Sequence, residues 1–152
     1  MTERPRGRDD LDTLLNSLLP FAKQQLGKRG EFYPFGNVMQ VTGEVQLLAG
    51  YADTEHPPSQ EVIDLLIEGM QQQAVAGEIR AAGLCFDSRI RLEDGSPTDA
   101  ITVDLEHFGG DAVRAFVPYS KGRFTGYRFG DLIASPGAHR VFLATSGDIT
   151  GH

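Results

Sequence analysis

The stretch that decides the fold runs Leu84-Cys85-Phe86-Asp87-Ser88-Arg89-Ile90-Arg91-Leu92-Glu93. Leu84, Phe86, Ser88, Ile90 and Leu92 alternate with Cys85, Asp87, Arg89, Arg91 and Glu93, the period-two pattern of a strand with one dry face and one polar face. Asp94-Gly95-Ser96-Pro97-Thr98 then turns the chain. Ile101, Val103 and Leu105 alternate with Thr102, Asp104 and Glu106 in a second strand of the same kind. Phe108-Gly109-Gly110-Asp111 turns again into Val113, Ala115 and Val117. The pattern predicts a three-stranded meander, with Phe116 breaking the alternation of its last member.

On the N-terminal side of the meander, Ile63, Leu66, Ile67, Met70 and Ala74 recur at helical spacing. Ser59 is read as the cap of this helix, Glu61 and Asp64 favour its start through the helix dipole, and Gly77 ends it. Gly69 lies inside at a cost of about 1 kcal/mol relative to alanine. Further upstream, Val38–Val41 and Glu44–Leu48 flank Thr42-Gly43 and read as a hairpin. Gly36 or Asn37 is expected to hold positive φ at its entrance, and Pro34 marks a sheet edge or a point before pairing begins. Leu11, Leu15, Leu18, Ala22 and Leu26 predict a first helix, with Asp10 as its N-cap, a kink or break at Pro20, and a stop at Gly27 and Gly30. Downstream, residues 119–143 mix aromatics with glycines; a short helix at Gly130–Ala134 and a strand at Arg140–Leu143 are expected there.

The 152 residues fit one domain, with 40% apolar residues to fill a core. The reading is a flexible tail over 1–9, a single α+β domain over 10–143, and a C-terminal tail over 144–152. Its fold is an antiparallel five-stranded sheet, with room for a sixth short strand, packed with two helices in the order α-β-β-α-β-β-β. One side of the sheet is expected to be apolar and covered by both helices, and the other to carry mixed charges. This order resembles the roadblock and profilin-like group of small domains, many of which are adaptors or scaffolds that dimerise. The Phe32-Tyr33-Pro34-Phe35-Gly36 segment, with the later Val117-Pro118-Tyr119, is also similar to small bacterial domains, some of them resembling toxin-immunity proteins. Neither resemblance assigns a role to a residue.

The net charge of −7 is unevenly placed. Residues 1–30 carry +2, residues 31–111 carry −12 and residues 112–143 carry +4. An acidic middle disfavours phosphate backbones, so no nucleic-acid partner is expected. It either steers a basic partner or simply keeps the chain soluble. There is no run of 18 apolar residues for a membrane span, no apolar leader follows Met1, and the one cysteine suits a reducing compartment; a cytoplasmic bacterial protein is expected.

Candidate chemistry is sparse. Cys85 is a nucleophile only if a histidine base reaches it, and the alternation points His107 to the opposite face. His56, His107, His139 and His152 show no metal-ligand spacing, and Asp53, Glu55 and His56 form at most a weak cation loop. Asp94 and Asp99 do not match a calcium loop. Hydrolase-elbow and Walker motifs are absent from the sequence. No cofactor and no metal are expected. On the polar sheet face, a turn centred at 96–97 sets Arg89 opposite Asp104, with Glu106 diagonal, and a turn centred at 109 sets Asp104 opposite Arg114. These charges form either a solvated ladder or a recognition surface. Tyr33, Phe35, Tyr119, Phe124, Tyr127 and Phe129 either close the ends of the core or, with Arg123 and Arg128, expose a patch for a partner.

The expectation is a non-catalytic protein–protein interaction module that acts through a protein partner or self-association. Two alternatives stay open. One is a small enzyme assembled from Cys85, His107 and Asp104, and the other is a sensing domain holding a ligand between helix and sheet.

Overall fold

The computed structural model describes residues 6–49 and 59–143. Two helices and seven strands follow one another as α1 (Arg6–Arg29), β1 (Phe35–Gln40), β2 (Val45–Ala49), α2 (Ser59–Val75), β3 (Ile79–Arg91), β4 (Pro97–His107), β5 (Ala112–Gly122), β6 (Gly126–Phe129) and β7 (Ile133–Pro136). The α+β class and the order α-β-β-α-β-β-β are as read from the pattern, and β6 and β7 follow, making seven strands where five, with room for a sixth, are expected. The strands form one antiparallel sheet in the order β2-β1-β3-β4-β5-β6, and β7 pairs with the first half of β5.

The two helices lie on opposite faces of the sheet, which corrects the expectation of a single covered side. The reason is in β3. Its first half, Ile79 to Cys85, is an almost continuous apolar run, the signature of a strand buried on both sides. Ala81 and Cys85 turn toward α1, where Leu11, Leu14, Leu18, Ala22 and Leu26 pack on them together with Ile101, Val103 and Leu105 of β4. Ala82 and Leu84 turn the other way, toward Val62, Ile63, Leu66 and Met70 of α2. Cys85, assigned to a polar face by the alternation, is fully buried, and its partner across the ladder is Val103.

Register explains the error. Pairs such as Arg89↔Asp99 and Arg91↔Pro97 centre the β3–β4 turn on Asp94. A turn centred between 96 and 97 would shift the pairing by an odd number of residues, and an odd shift exchanges the two faces. Leu92-Glu93-Asp94-Gly95 closes tightly because Gly95 adopts φ 87° and the Asp94 carboxylate accepts from the amide of Ser96 at 2.9 Å. The β4–β5 turn was placed correctly, and Asp104 does face Arg114.

Other expectations need correction too. The helix begins at Arg6, so residues 6–9 are not tail, and Asp10 sits one turn inside instead of capping it. Pro20 lies on the exposed side of α1, which continues through it to Arg29. Gly36 and Asn37 are extended residues of β1 rather than positive-φ hinges. Gly36 is needed for another reason: a Cβ there would stand 2.5 Å from the carbonyl oxygen of Gly83. Residues 130–134 form no helix and 140–143 no strand; β5 runs on to Gly122 and turns back as β6. The C-terminal tail 144–152 and the loop holding Asp53, Glu55 and His56 lie outside the described residues.

Candidate functional site

Several ionisable side chains meet where β1 and β4 end and β3 begins. Met39 pairs with Ala81 but Gln40 pairs with Ile79, so Arg80 is an extra residue bulged out of the ladder. The bulge swings its guanidinium toward α1, an arrangement that sequence alternation has no means of signalling. There Nε and Nη2 donate to the two carboxylate oxygens of Asp10 at 3.0 and 3.1 Å, while Nη1 donates to the carbonyl of Val41 at 3.1 Å. His107 completes the group. The amide of Gly109 donates to its Nδ1 at 3.0 Å, so the ring proton sits on Nε2 and is donated to Asp10 Oδ2 at 2.8 Å. Burial alone would raise the Asp10 carboxyl, but the bonds from Arg80 and His107 outweigh it and hold it below the ordinary range.

A second buried carboxylate anchors the C-terminal segment. Glu106, 4% exposed, accepts the amides of Arg140, Val141 and Phe142 at 2.8, 3.0 and 3.1 Å. Gln71 of α2 donates to the carbonyl of Arg140 at 2.7 Å, and Val141 packs into the core beside Val38, Met70 and Ile79. Residues 139–143 thus form a strap along the α2 side of the sheet. Between this strap, the last turns of α2 and the end of the sheet opens a cavity of about 760 Å³. Its walls include Val41, Val75, Ile79, Phe108 and Phe142, with Arg80 and His139 among them.

The residues singled out in the sequence are dispersed. Asp104 and Arg114 form a two-pronged pair, with N–O distances of 2.6 and 2.7 Å, and the Asp104 bond raises the Arg114 guanidinium pKa. Arg114 also lies over the ring of Phe86 at 5.7 Å. Arg89 joins Asp99, not Asp104, at 2.8 Å, in an exposed pair. The predicted ladder is therefore split: Asp104–Arg114 lies on the α2 face, Arg89–Asp99 on the α1 face, and Glu106 belongs to the strap.

Phe35 is buried and packs edge-on against Phe21 and Phe32. Tyr119, Tyr127 and Phe129 stack along the far end of the α1 face. Tyr119 donates to Asp87 at 2.8 Å; burial, aided by that bond, raises the phenol, and burial raises Asp87 although the bond opposes it. Tyr33 is 40% exposed, and Arg123 and Phe124 stand out on the β5–β6 turn. The aromatics thus close the core more than they form a patch.

His107 does share a face with Cys85, contrary to the alternation argument, yet the pair is not assembled. Cys85 lies opposite Val103, four residues along β4 from His107, a separation of about 13 Å at the usual strand rise. Burial, then the charge of Asp87, pushes the thiol pKa far up. Among the described residues no three His, Cys, Asp or Glu side chains group to hold a metal. Sequence reasoning read Asp10 only as a cap and left a ligand between helix and sheet as an alternative, but missed the pairing of Asp10 with Arg80 and the place of the cavity; the one available sign was an arginine inside the apolar run Ile79–Cys85. Compared with protein families, curated proteins and solved structures, the chain matches none.

Proposed function

We propose that the protein is a non-catalytic protein–protein interaction module, adaptor or immunity-like in kind, that takes its partner along the free edge of β2. The observation that carries this reading is the character of that edge. Among the described residues β2 ends the sheet, bears no charge from Val45 to Ala49, and exposes Val45 and Leu47 by 39% and 49%. Edge strands are ordinarily protected by charge, proline or a bulge, and an uncharged apolar one is a template for a further strand. Gln40 donates to the carbonyl of Glu44 at 2.7 Å. The two-residue alternation of the ladder then turns the amides of Gln46 and Leu48 toward β1 and those of Val45, Leu47 and Ala49 outward.

The chemistry-bearing side chains support the same reading because they are engaged internally: Asp10 with Arg80 and His107, Glu106 with the strap, Asp104 with Arg114. No described helix is long and apolar enough to cross a membrane. A cytoplasmic location and the lack of a nucleic-acid partner belong to the proposal, motivated by the acidic middle and the single buried thiol.

The test is Leu47→Lys, which puts a charge at the centre of the edge. A partner captured from host lysate by the native chain is identified, purified and titrated against both proteins. Binding to the variant should weaken roughly tenfold or more, equivalent to about 1.4 kcal/mol, while its circular dichroism is unchanged. Light scattering of the purified chain shows whether a second copy takes this edge. Equal partner affinity for both proteins refutes the edge as the docking site.

A further inference from the structure

Five large apolar side chains among the described residues are more than half exposed, and four of them, Val41, Val75, Phe108 and Leu143, meet around one cavity. Contiguous exposed apolar surface of this kind marks a binding site more often than an accident of composition. At about 760 Å³ the cavity falls in the range of small-molecule pockets. It also has a charge preference. Among the described residues no acidic side chain lines this cavity, where the ionisable side chains are Arg80 and His139.

Arg80, in the cavity wall, is held by two neighbours. Asp10 grips Nε and one N–H of Nη2, and the Val41 carbonyl takes one N–H of Nη1. A guanidinium has five N–H donors, so one on each Nη has no protein acceptor among the described residues. Those two donors suit the two oxygens of a carboxylate. The head is pre-oriented by its bonds to Asp10 and Val41, and the side chain keeps 23% of its surface exposed.

We propose that this cavity binds a small amphiphilic monocarboxylic acid, its apolar body against Val75, Ile79 and Phe108 and its carboxylate on Arg80. The site is separate from the β2 edge and does not depend on the partner proposed for it. Decanoate is the probe and 1-decanol its uncharged counterpart, each titrated into the full chain by calorimetry, with amide chemical shifts recorded in parallel. Decanoate should bind about tenfold or more tightly than decanol. It should shift the amides of Ile79, Phe108, Gly110 and Val141.

Val75, 89% exposed on the last turn of α2, tolerates replacement without disturbing the core. Both Val75→Glu and Val75→Lys remove the same apolar contact and differ chiefly in the sign of the charge at the cavity wall, so Val75→Glu should bind decanoate roughly tenfold more weakly than Val75→Lys does. Equal affinity for acid and alcohol overturns the proposal, as does equal behaviour of the two variants. So does the absence of decanoate binding, including the case in which the chain instead sediments with phosphatidylglycerol vesicles, which would assign the apolar rim to a membrane surface.

Discussion

Replacing Glu106 by glutamine changes one oxygen to an amide and leaves the shape of the side chain almost unaltered. In the native protein its two oxygens accept from three consecutive amides, with Val141 reaching both oxygens at 3.0 Å. Hydrogen bonds to a charged acceptor contribute about 1.5–3 kcal/mol each, roughly twice a neutral one. Glutamine keeps one acceptor oxygen without the charge and turns an NH2 group toward donors. One bond is then lost outright and the others fall to neutral strength, for a net loss of about 2–4 kcal/mol. A ceiling applies, because once the strap detaches, further weakening of its anchor has no effect on the rest of the fold. The assay is urea unfolding combined with hydrogen exchange at Arg140, Val141 and Phe142. Those amides should exchange far faster than amides in the middle of β3 and β4. A loss below about 0.5 kcal/mol with unchanged exchange would refute the argument that this carboxylate holds the strap.

Two further substitutions test the frame around the candidate site. Asp10→Asn leaves Arg80 without its counter-charge and should destabilise the fold by about 3 kcal/mol near neutral pH, measured by chemical denaturation. Because the native Asp10 pKa is depressed, its stabilisation is present above the unfolded carboxyl value of about 3.9 and is lost as pH falls through the folded value, so the gap between native and variant should close in acid. Gly36→Ala inserts a methyl group 2.5 Å from the Gly83 carbonyl and 2.6 Å from Met70 Cε. The backbone oxygen has no room to yield, so the cost should reach or exceed about 3 kcal/mol, and a melting temperature within a few degrees of native would contradict it.

The local pattern of the chain was enough for both helices, for the hairpin at Thr42-Gly43 and for the meander, since periods of 3.6 and 2 are written residue by residue. It also placed Arg114 opposite Asp104, because the Gly109-Gly110 turn between them is short and its centre is legible. Gly77, at φ 73°, ends α2 as a residue free of a Cβ should.

What the chain left open was which face each strand presents and to what. The β3–β4 turn admits more than one centre, and moving it by an odd register step set Val103 on the face of Cys85 and Asp99, in place of Asp104, opposite Arg89. The apolar run from Ile79 to Cys85 has no alternation to read, so the division of its side chains between α1 and α2 emerges only when the layers pack. Asp10, Arg80, Glu106 and the strap are joined by contacts spanning 34 to 97 residues of sequence. Pairings of that length follow from where a bulge turns one guanidinium and where a strand ends, geometric facts with no local signature. Sequence period determined the two helices, the hairpin and the meander; tertiary packing decided the strands after Gly122, which carboxylates became buried anchors and where the cavity beside them opened.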